Sequence, residues 1–374
     1  MPVTLRELAK AAGCSVSTVS RALNSSAHSV NDVTRERILA LANQLGYHPN
    51  MTARGLKTDR TFTIGLIVYN IASPFTPVLI RGIQEYLKQH DYFSIIISTD
   101  WDPNLESEAV HQLISRSIDG VIFVETWRDD SNNTLDLANK PYVYVYRLFD
   151  GEYANSVIVD DRYGARLAVE HLVKLEHHRI AYINGPHDWA SSKERLVGYQ
   201  DVLAQYGIPY DPSLVEEGTW EVQSGYVATK KFLVMRDSPT AIFAANDLMA
   251  LGAIYAIQDA GLNVPKDIAV VGYDDRDLAS FSNPTITTVC PPSFEMGQLA
   301  AQLILNRLEN QIEIEDPIRV QGRLIIRESC GAEQDRIPPE HYVSHTIPPE
   351  PLVQRWRGKM QKNNELVLTG SNSS

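Results

Sequence analysis

No uninterrupted apolar run in this chain approaches the ~18 residues needed to cross a bilayer, and the polar start Met1–Lys10 lacks the apolar core of a secretory signal. The chain therefore reads as cytoplasmic, with no membrane partner. Cysteine is scarce. Cys14, Cys290 and Cys330 lie far apart without C-x-x-C spacing, which excludes a disulfide framework and a zinc ligand set and fits a reducing compartment. Among the 21 glycines no two are separated by a single residue, so the glycine-rich turn of a dinucleotide site cannot occur. There is likewise no Walker loop, no G-x-S-x-G elbow and no H-E-x-x-H, and the adjacent pair His177-His178 has no further ligand at metal spacing. These absences predict no catalytic residue, no cofactor and no metal, and a chain that is not an enzyme.

What is present is a charge asymmetry. The net charge is -12, yet residues 1–60 carry eight Lys and Arg against four acids, leaving -16 for the rest. A basic head on an acidic body suggests that the head meets a polyanion and the body does not.

The head is patterned in detail. Thr4 and Glu7 have capping-box spacing, and Leu5, Leu8, Ala9 and Ala12 recur at helical intervals, predicting a helix over Leu5–Ala12. Gly13 permits a left-handed turn, Ser15 can cap a second helix over Val16–Leu23 with Val19, Ala22 and Leu23 inward, and a third runs from Asp32 to Leu45 with Ile38, Leu39, Ala42 and Leu45 as its buried stripe. Small Ala9, turn-forming Gly13 and branched Val19 stand at the offsets that let two helices cross closely, as a helix-turn-helix requires, although an αα-hairpin without a DNA role would share them. Val16, Ser17 and Arg21 fall on the face left over, where a methyl, a hydroxyl and a guanidinium can meet base edges or phosphate. Residues 50–57, NMTARGLK, form a short capped stretch before the first strand.

From Thr61 strands alternate with helices, from TFTIGLIVY through to DIAVVGYDD, the pattern of two doubly wound parallel sheets with a ligand crevice between two halves. Polar and planar groups cluster where the strands end: Phe75, Arg147, Asp161, Ser191, Arg195, Trp220, Asn246 and Asp274. Aromatic faces to stack a ring and fork-shaped groups to pair vicinal hydroxyls suit a polar cyclic ligand such as a sugar. Asp247 and Asp275, beside two of these, read as caps or supports.

The stretches TLRELAKAAGCSVSTVSRALN, TRERILALANQLGYHPN, ARGL and ANDLMALGAIYAIQDAGLNVPKDIAVVGYDD resemble the LacI/GalR (lactose-repressor) family of bacterial transcription regulators over roughly residues 2–330. The resemblance implies an α/β protein. An N-terminal three-helix helix-turn-helix head (1–49) and a hinge helix with linker (50–60) precede a periplasmic-binding-protein-like body of two doubly wound α/β subdomains (61–330). Within the body one subdomain holds about 61–159 and 290–318, the other about 160–289 and 319–330. It places Thr4, Ser15, Val16, Ser17, Thr18, Arg21, Ala22, Asn24 and His28 of the head, and Asn50, Ala53, Arg54, Leu56 and Lys57 of the hinge, at operator DNA. Leu56 becomes a minor-groove wedge, which makes independent physical sense because an apolar wedge unstacks a base step. Asn246, Asp274, Arg195 and Trp220 match effector-contact positions. The implied protein is a homodimeric repressor of carbohydrate genes, its affinity for double-stranded operator DNA modulated by a small-molecule effector. A periplasmic-type sugar-binding protein and a sugar-acting enzyme are the alternatives; the first needs export, the second a poised acid–base pair that the spacing does not supply. The tail, 331–374, holds a repeated IPPE and no leucine heptad and reads as partly disordered, with no role assigned.

Overall fold

The computed structural model describes residues 3–23, 30–47, 60–100, 102–124, 137–146, 155–310, 314 and 316–332. The expected hinge helix and nearly all of the tail lie outside them.

The head is three helices, α1 (Leu5–Ala12), α2 (Val16–Leu23) and α3 (Asp32–Gln44). The capping box forms: the Glu7 N–H donates to Thr4 Oγ1 at 3.3 Å and the Thr4 N–H to the Glu7 carboxylate at 2.7 Å. Gly13 ends α1 at φ +62°, a left-handed conformation that glycine adopts without a Cβ penalty. Ser15 Oγ accepts the Thr18 N–H at 3.1 Å, and Asn31 caps α3 through the Val33 N–H at 2.9 Å. Arg37 of α3 reaches back to the end of α1, donating to the Ala12 carbonyl at 3.1 Å. Leu8, Ala9, Ala12, Val19, Ala22, Ile38 and Ala42 close a small core. Leu39 and Leu45, expected in the buried stripe, are 40% and 38% exposed. Positions 38, 41 and 42 turn toward the core of the head, while residue 39 is turned ~100° away from 38 and residue 45 caps the helix end.

The chain divides into two compact units, Met1–Tyr163 with Pro291–Gly322, and Gly164–Cys290 with the chain from Arg323 on. It passes between them three times. The first unit carries a six-stranded, wholly parallel sheet in the order β11-β5-β4-β3-β1-β2, formed by β1 (Thr63–Val68), β2 (Phe93–Ser98), β3 (Gly120–Val124), β4 (Tyr142–Val145), β5 (Ser156–Val159) and β11 (Ile318–Val320). Its helices are α4 (Thr76–Gln89), α5 (Pro103–Ser115) and α11 (Ser293–Asn310). The second sheet runs β12-β10-β9-β8-β6-β7, from β6 (Ile180–Asn184), β7 (Val215–Glu217), β8 (Ala241–Ala244), β9 (Ala269–Tyr273), β10 (Thr287–Cys290) and β12 (Arg323–Ile325), which pairs antiparallel with β10 as an edge. Around it stand α7 (Ala190–Gln205), α8 (Val222–Leu233), α9 (Asp247–Asp259) and the short α10 (Asp277–Phe281); α6 (Asp161–Lys174) spans the first crossing. Central strands such as VIFV and AIFA are buried along their whole length, as parallel strands covered on both faces must be.

In the second unit His171, on α6, meets Cys330 with Nε2 and Sγ 3.3 Å apart. Burial, with Lys174 and His177 nearby, pushes this imidazole down to about 4 from an ordinary 6.5. The unfolded chain then takes up a proton below pH ~6.5 that the folded chain refuses until about pH 4, so stability falls as pH drops through that window. Urea midpoints at pH 7 and pH 5 should reveal about 2 kcal/mol of destabilisation from this group. His171→Gln should flatten that part of the profile; an unchanged profile would place the acid sensitivity elsewhere.

Candidate functional site

Two constellations carry chemistry. On the head, Val16 is 41% exposed, Ser17 and Arg21 are also exposed, and the Arg21 Nε–H donates to the Ser17 carbonyl at 3.2 Å, holding the guanidinium along the outer face of α2. Ser15 Oγ lies 2.8 Å from both the Ser17 and Thr18 hydroxyls, so the hydroxyls of this turn are ordered as a group. Thr4 is exposed at the start of α1. Ala22 is a correction to the expected contact set: it is 1% exposed and belongs to the small core of the head, so its side chain is not on the outer face of α2. Asn24, His28, Asn50, Ala53, Arg54, Leu56 and Lys57 lie outside the described residues.

The second constellation belongs to the second unit and gathers at the carboxyl ends of β6 to β9. Arg195, on α7, is 8% exposed overall. Its guanidinium stands 3.6 Å over the centroid of the Tyr273 ring and 5.8 Å from that of Trp220; its Nη1 donates to the Ala245 carbonyl and lies 3.9 Å from Asp274 Oδ1. This close approach to the Tyr273 ring suits a planar guanidinium and would not be reproduced by a lysine. Asn246 caps α9: its Oδ1 accepts the Met249 N–H at 2.8 Å while its Nδ2 donates to the Trp220 carbonyl at 2.9 Å, tying the ends of β8 and β7 together. Trp220 holds φ +66° and lays its ring over Gly185; a Cβ there would come within 2.1 Å of the indole, so glycine makes room for the ring. Ser191 is half-buried in the first turn of α7. The Trp220 Nε1–H and the Ser192 hydroxyl, the latter 0% exposed, are buried without hydrogen-bond partners among the described residues.

The turn presenting Asp274 is braced from below. Asp274 sits at φ +107° and Asp275 at +51°. Asp247, 0% exposed, accepts the Arg276 N–H at 2.8 Å and the Thr288 hydroxyl at 2.6 Å; the Asp275 carboxylate meets Arg327 at 2.6 Å, and Arg327 also donates to the Ile286 carbonyl at 2.9 Å. Burial, then the nearby Asp274, drives the Asp247 carboxyl well above the usual range. Asp247 and Asp275 are thus supports that fix the backbone on either side of Asp274.

In the first unit Phe75 immediately precedes α4 with its ring 6.2 Å from that of Tyr146, and Asp161, 8% exposed, opens α6. Arg147 lies outside the described residues. Among the described residues no cluster of three or more His, Cys, Asp or Glu is placed to hold a metal, and no helix is long and apolar enough to cross a membrane. One residue was not foreseen from sequence: Trp189, just before α7, packs its ring 5.7 Å from Trp220 at 66°. An aromatic following the Gly-Pro pair at the end of β6 was the signal that could have found it.

Residues 4–50 match the model of the bacterial regulatory proteins of the lacI family, and residues 169–330 that of a periplasmic binding protein-like domain. The HTH-type transcriptional regulator RegA of Clostridium saccharobutylicum is 35% identical over 335 residues, covering 88% of this chain and 99% of that one. The chain belongs to the lacI family of bacterial regulatory proteins. Among solved structures of lacI-type regulators, the lac repressor dimer bound to operator and an anti-inducer shares 31% identity at a TM-score of 0.70, covering 89% of this chain and 100% of that one. A CelR–cellobiose complex shares 32% at 0.64, covering 87% and 99%. As a lacI-family member the chain is a DNA-binding transcription regulator with an effector-binding body, and the three-helix head and paired parallel sheets are the fold that its sequence predicted.

Proposed function

We infer that this regulator is a cytoplasmic, homodimeric repressor of carbohydrate genes whose effector is a saccharide. The observation that carries the reading is the Arg195–Asp274 pair set against the Trp220 ring: an indole face for the apolar side of a pyranose, beside a fork-shaped donor and a carboxylate acceptor spaced for adjacent hydroxyls. Asn246 and Ser191 complete the polar edge in the second unit; Phe75, Asp161 and Arg147 are the candidates of the first. The likeness to a regulator solved with cellobiose supports this class of effector. Thr4, Ser15, Val16, Ser17, Thr18 and Arg21 serve DNA, with Asn24, His28 and the 50–57 segment completing that surface. A two-fold dimer meets a two-fold operator, so two such heads read a near-palindromic site. Neither alternative gains support: a periplasmic-type binding protein has no use for the head, and the relatives matched along nearly the whole chain are transcription regulators.

Isothermal titration against mono- and disaccharides, sugar phosphates and purines, followed by operator binding with each ligand found, tests the assignment. Saccharide binding that changes operator affinity supports it; a response confined to purines overturns it. Because the body is strongly acidic, operator affinity rests on a few cationic head contacts, and raising salt from 50 to 200 mM should weaken binding on the order of a thousand-fold. A shallow slope would mean that phosphate contacts are not the source of the grip.

A further inference from the structure

We propose that the Asp275–Arg327 ion pair is the strut through which occupancy of the effector site reaches the head, because it holds the third crossing of the chain to the turn that carries Asp274. This rests on the Asp274 cluster taking the effector, not on the effector being a saccharide. The head belongs to the first unit, so the chain links it to the second only through three crossings, where the second unit begins or ends at Gly164, Cys290 and Arg323. All three lead to one turn. Gly164 packs directly on Tyr273, since a Cβ there would overlap the phenol. Cys290 ends β10, whose Val289 carbonyl accepts the Asp274 N–H at 2.8 Å and whose Thr288 hydroxyl accepts the Asp275 N–H at 3.3 Å. Arg323 opens β12, which pairs with β10 so that Cys290 and Arg323 lie opposite one another, and four residues on Arg327 reaches the Asp275 carboxylate at 2.6 Å.

The turn itself is held under strain. Asp274 at φ +107° and Asp275 at +51° are consecutive non-glycine residues with positive φ, a conformation that persists only where the surroundings impose it. Each amide of the turn has a fixed acceptor: Val289, Thr288 and Asp247 in order from residue 274 to 276. A ligand that engages the Asp274 carboxylate therefore cannot shift this residue alone. Packed and multiply bonded elements move as units, and the displacement passes to Asp275 and its partner.

The ion pair is not needed to shape the turn, because the three amide bonds do that. Nor is it an efficient source of stability: its side chains are 17% and 15% exposed, and the desolvation of such a pair offsets much of its attraction. What it adds is a directional tie. Arg327 is anchored at its far side, its Nη1 donating to the Ile286 carbonyl at 2.9 Å and its N–H to the Thr287 hydroxyl at 2.8 Å. Movement of Asp275 is thereby handed to the segment that runs back to the crossing at Arg323. Arg327 and Asp275 are positioning residues of the regulatory response and touch no ligand themselves.

Arg327→Gln and the isosteric Asp275→Asn remove the ion pair and leave every acceptor of the turn in place. Calorimetry of the full chain with cellobiose, ribose, glucose 6-phosphate and hypoxanthine gives ligand affinity; anisotropy on operator DNA at zero and saturating ligand gives the ratio of operator affinities. For the compound that moves wild-type operator affinity, both variants should bind it within about three-fold of wild type, while the ratio shrinks to about half or less on a logarithmic scale. The double variant should lose no more than either single one, because the two side chains form one link. Arg327→Lys, which keeps the charge, should recover part of the ratio. A brace that only stabilises the fold behaves otherwise: the variants would melt at lower temperature and bind ligand more weakly with the ratio unchanged, and that result overturns the strut. So does an unchanged ratio in variants that circular dichroism shows to be folded. A wild-type response to hypoxanthine alone overturns the saccharide reading and leaves the strut to be decided by the same variants with that ligand. A wild type that responds to none of the four overturns both.

Discussion

Arg195→Ala should lower saccharide affinity on the order of a hundred-fold or more while operator affinity in the absence of ligand stays within about two- to three-fold of wild type. The size follows from what one side chain does. Its guanidinium is 10% exposed and pairs with an equally buried Asp274, so removing it deletes charge-assisted bonds to the ligand and leaves a carboxylate without its cation in a poorly solvated place. It also strips the Tyr273 ring of the guanidinium 3.6 Å from its centroid. Arg195→Lys keeps the charge but loses the fork and the planar contact, and should fall between the two. Calorimetry with the best-binding sugar, together with fluorescence anisotropy on operator DNA with and without it, reads both halves of the prediction. An Arg195→Ala protein that binds sugar normally and still releases or tightens on DNA would remove this residue from the site and with it the principal support for the effector class.

That site was largely legible because of where parallel strands put their ends. Once TAIFAAN and DIAVVGYDD read as strands, topology places Asn246 and Asp274 at one edge of a sheet whatever the side-chain details. The first two helices of the head were legible for a different reason: a capping box and a glycine are local signals, and they set bounds at Leu5–Ala12 and Val16–Leu23. What escaped depends on distance along the chain. The brace beneath Asp274 joins Asp247 to Thr288 and Asp275 to Arg327, partners 41 and 52 residues apart that no spacing rule connects. The strands β11 and β12, three residues each, are too short to show a period. Leu39 and Leu45 misled because helical periodicity marks apolar positions without saying how wide a stripe the partners cover, and two eight-residue helices cover only one narrow face of α3. Ala22 is the opposite case: helical spacing already turned it inward, and only the resemblance set it at DNA, while the structure buries it in the core of the head.

Its burial also explains why the head should be the fragile part of the molecule. Of the seven buried residues in that core four are alanine, so Leu8, Val19 and Ile38 are the larger side chains at its centre, with Leu5, Leu23, Leu41 and Tyr47 packed partly buried against them. Leu8→Ala should cost about 2–4 kcal/mol, against the ~3–5 kcal/mol that a core of this size can supply. The expected result is a head largely unfolded at 25 °C, operator affinity lowered more than a hundred-fold, and calorimetric saccharide binding unchanged, because no residue of the Arg195 cluster belongs to this core. Arg21→Ala provides the contrast. Arg21 is exposed and bonds only the Ser17 carbonyl among the contacts described, so the head should stay folded by circular dichroism while operator affinity falls by about 1–3 kcal/mol and the salt slope becomes shallower. The pair separates a head that cannot fold from a head that folds but cannot hold DNA. Wild-type operator binding by Leu8→Ala would show that the three-helix bundle is not what grips the duplex, and no effector-site result could then rescue the regulatory reading.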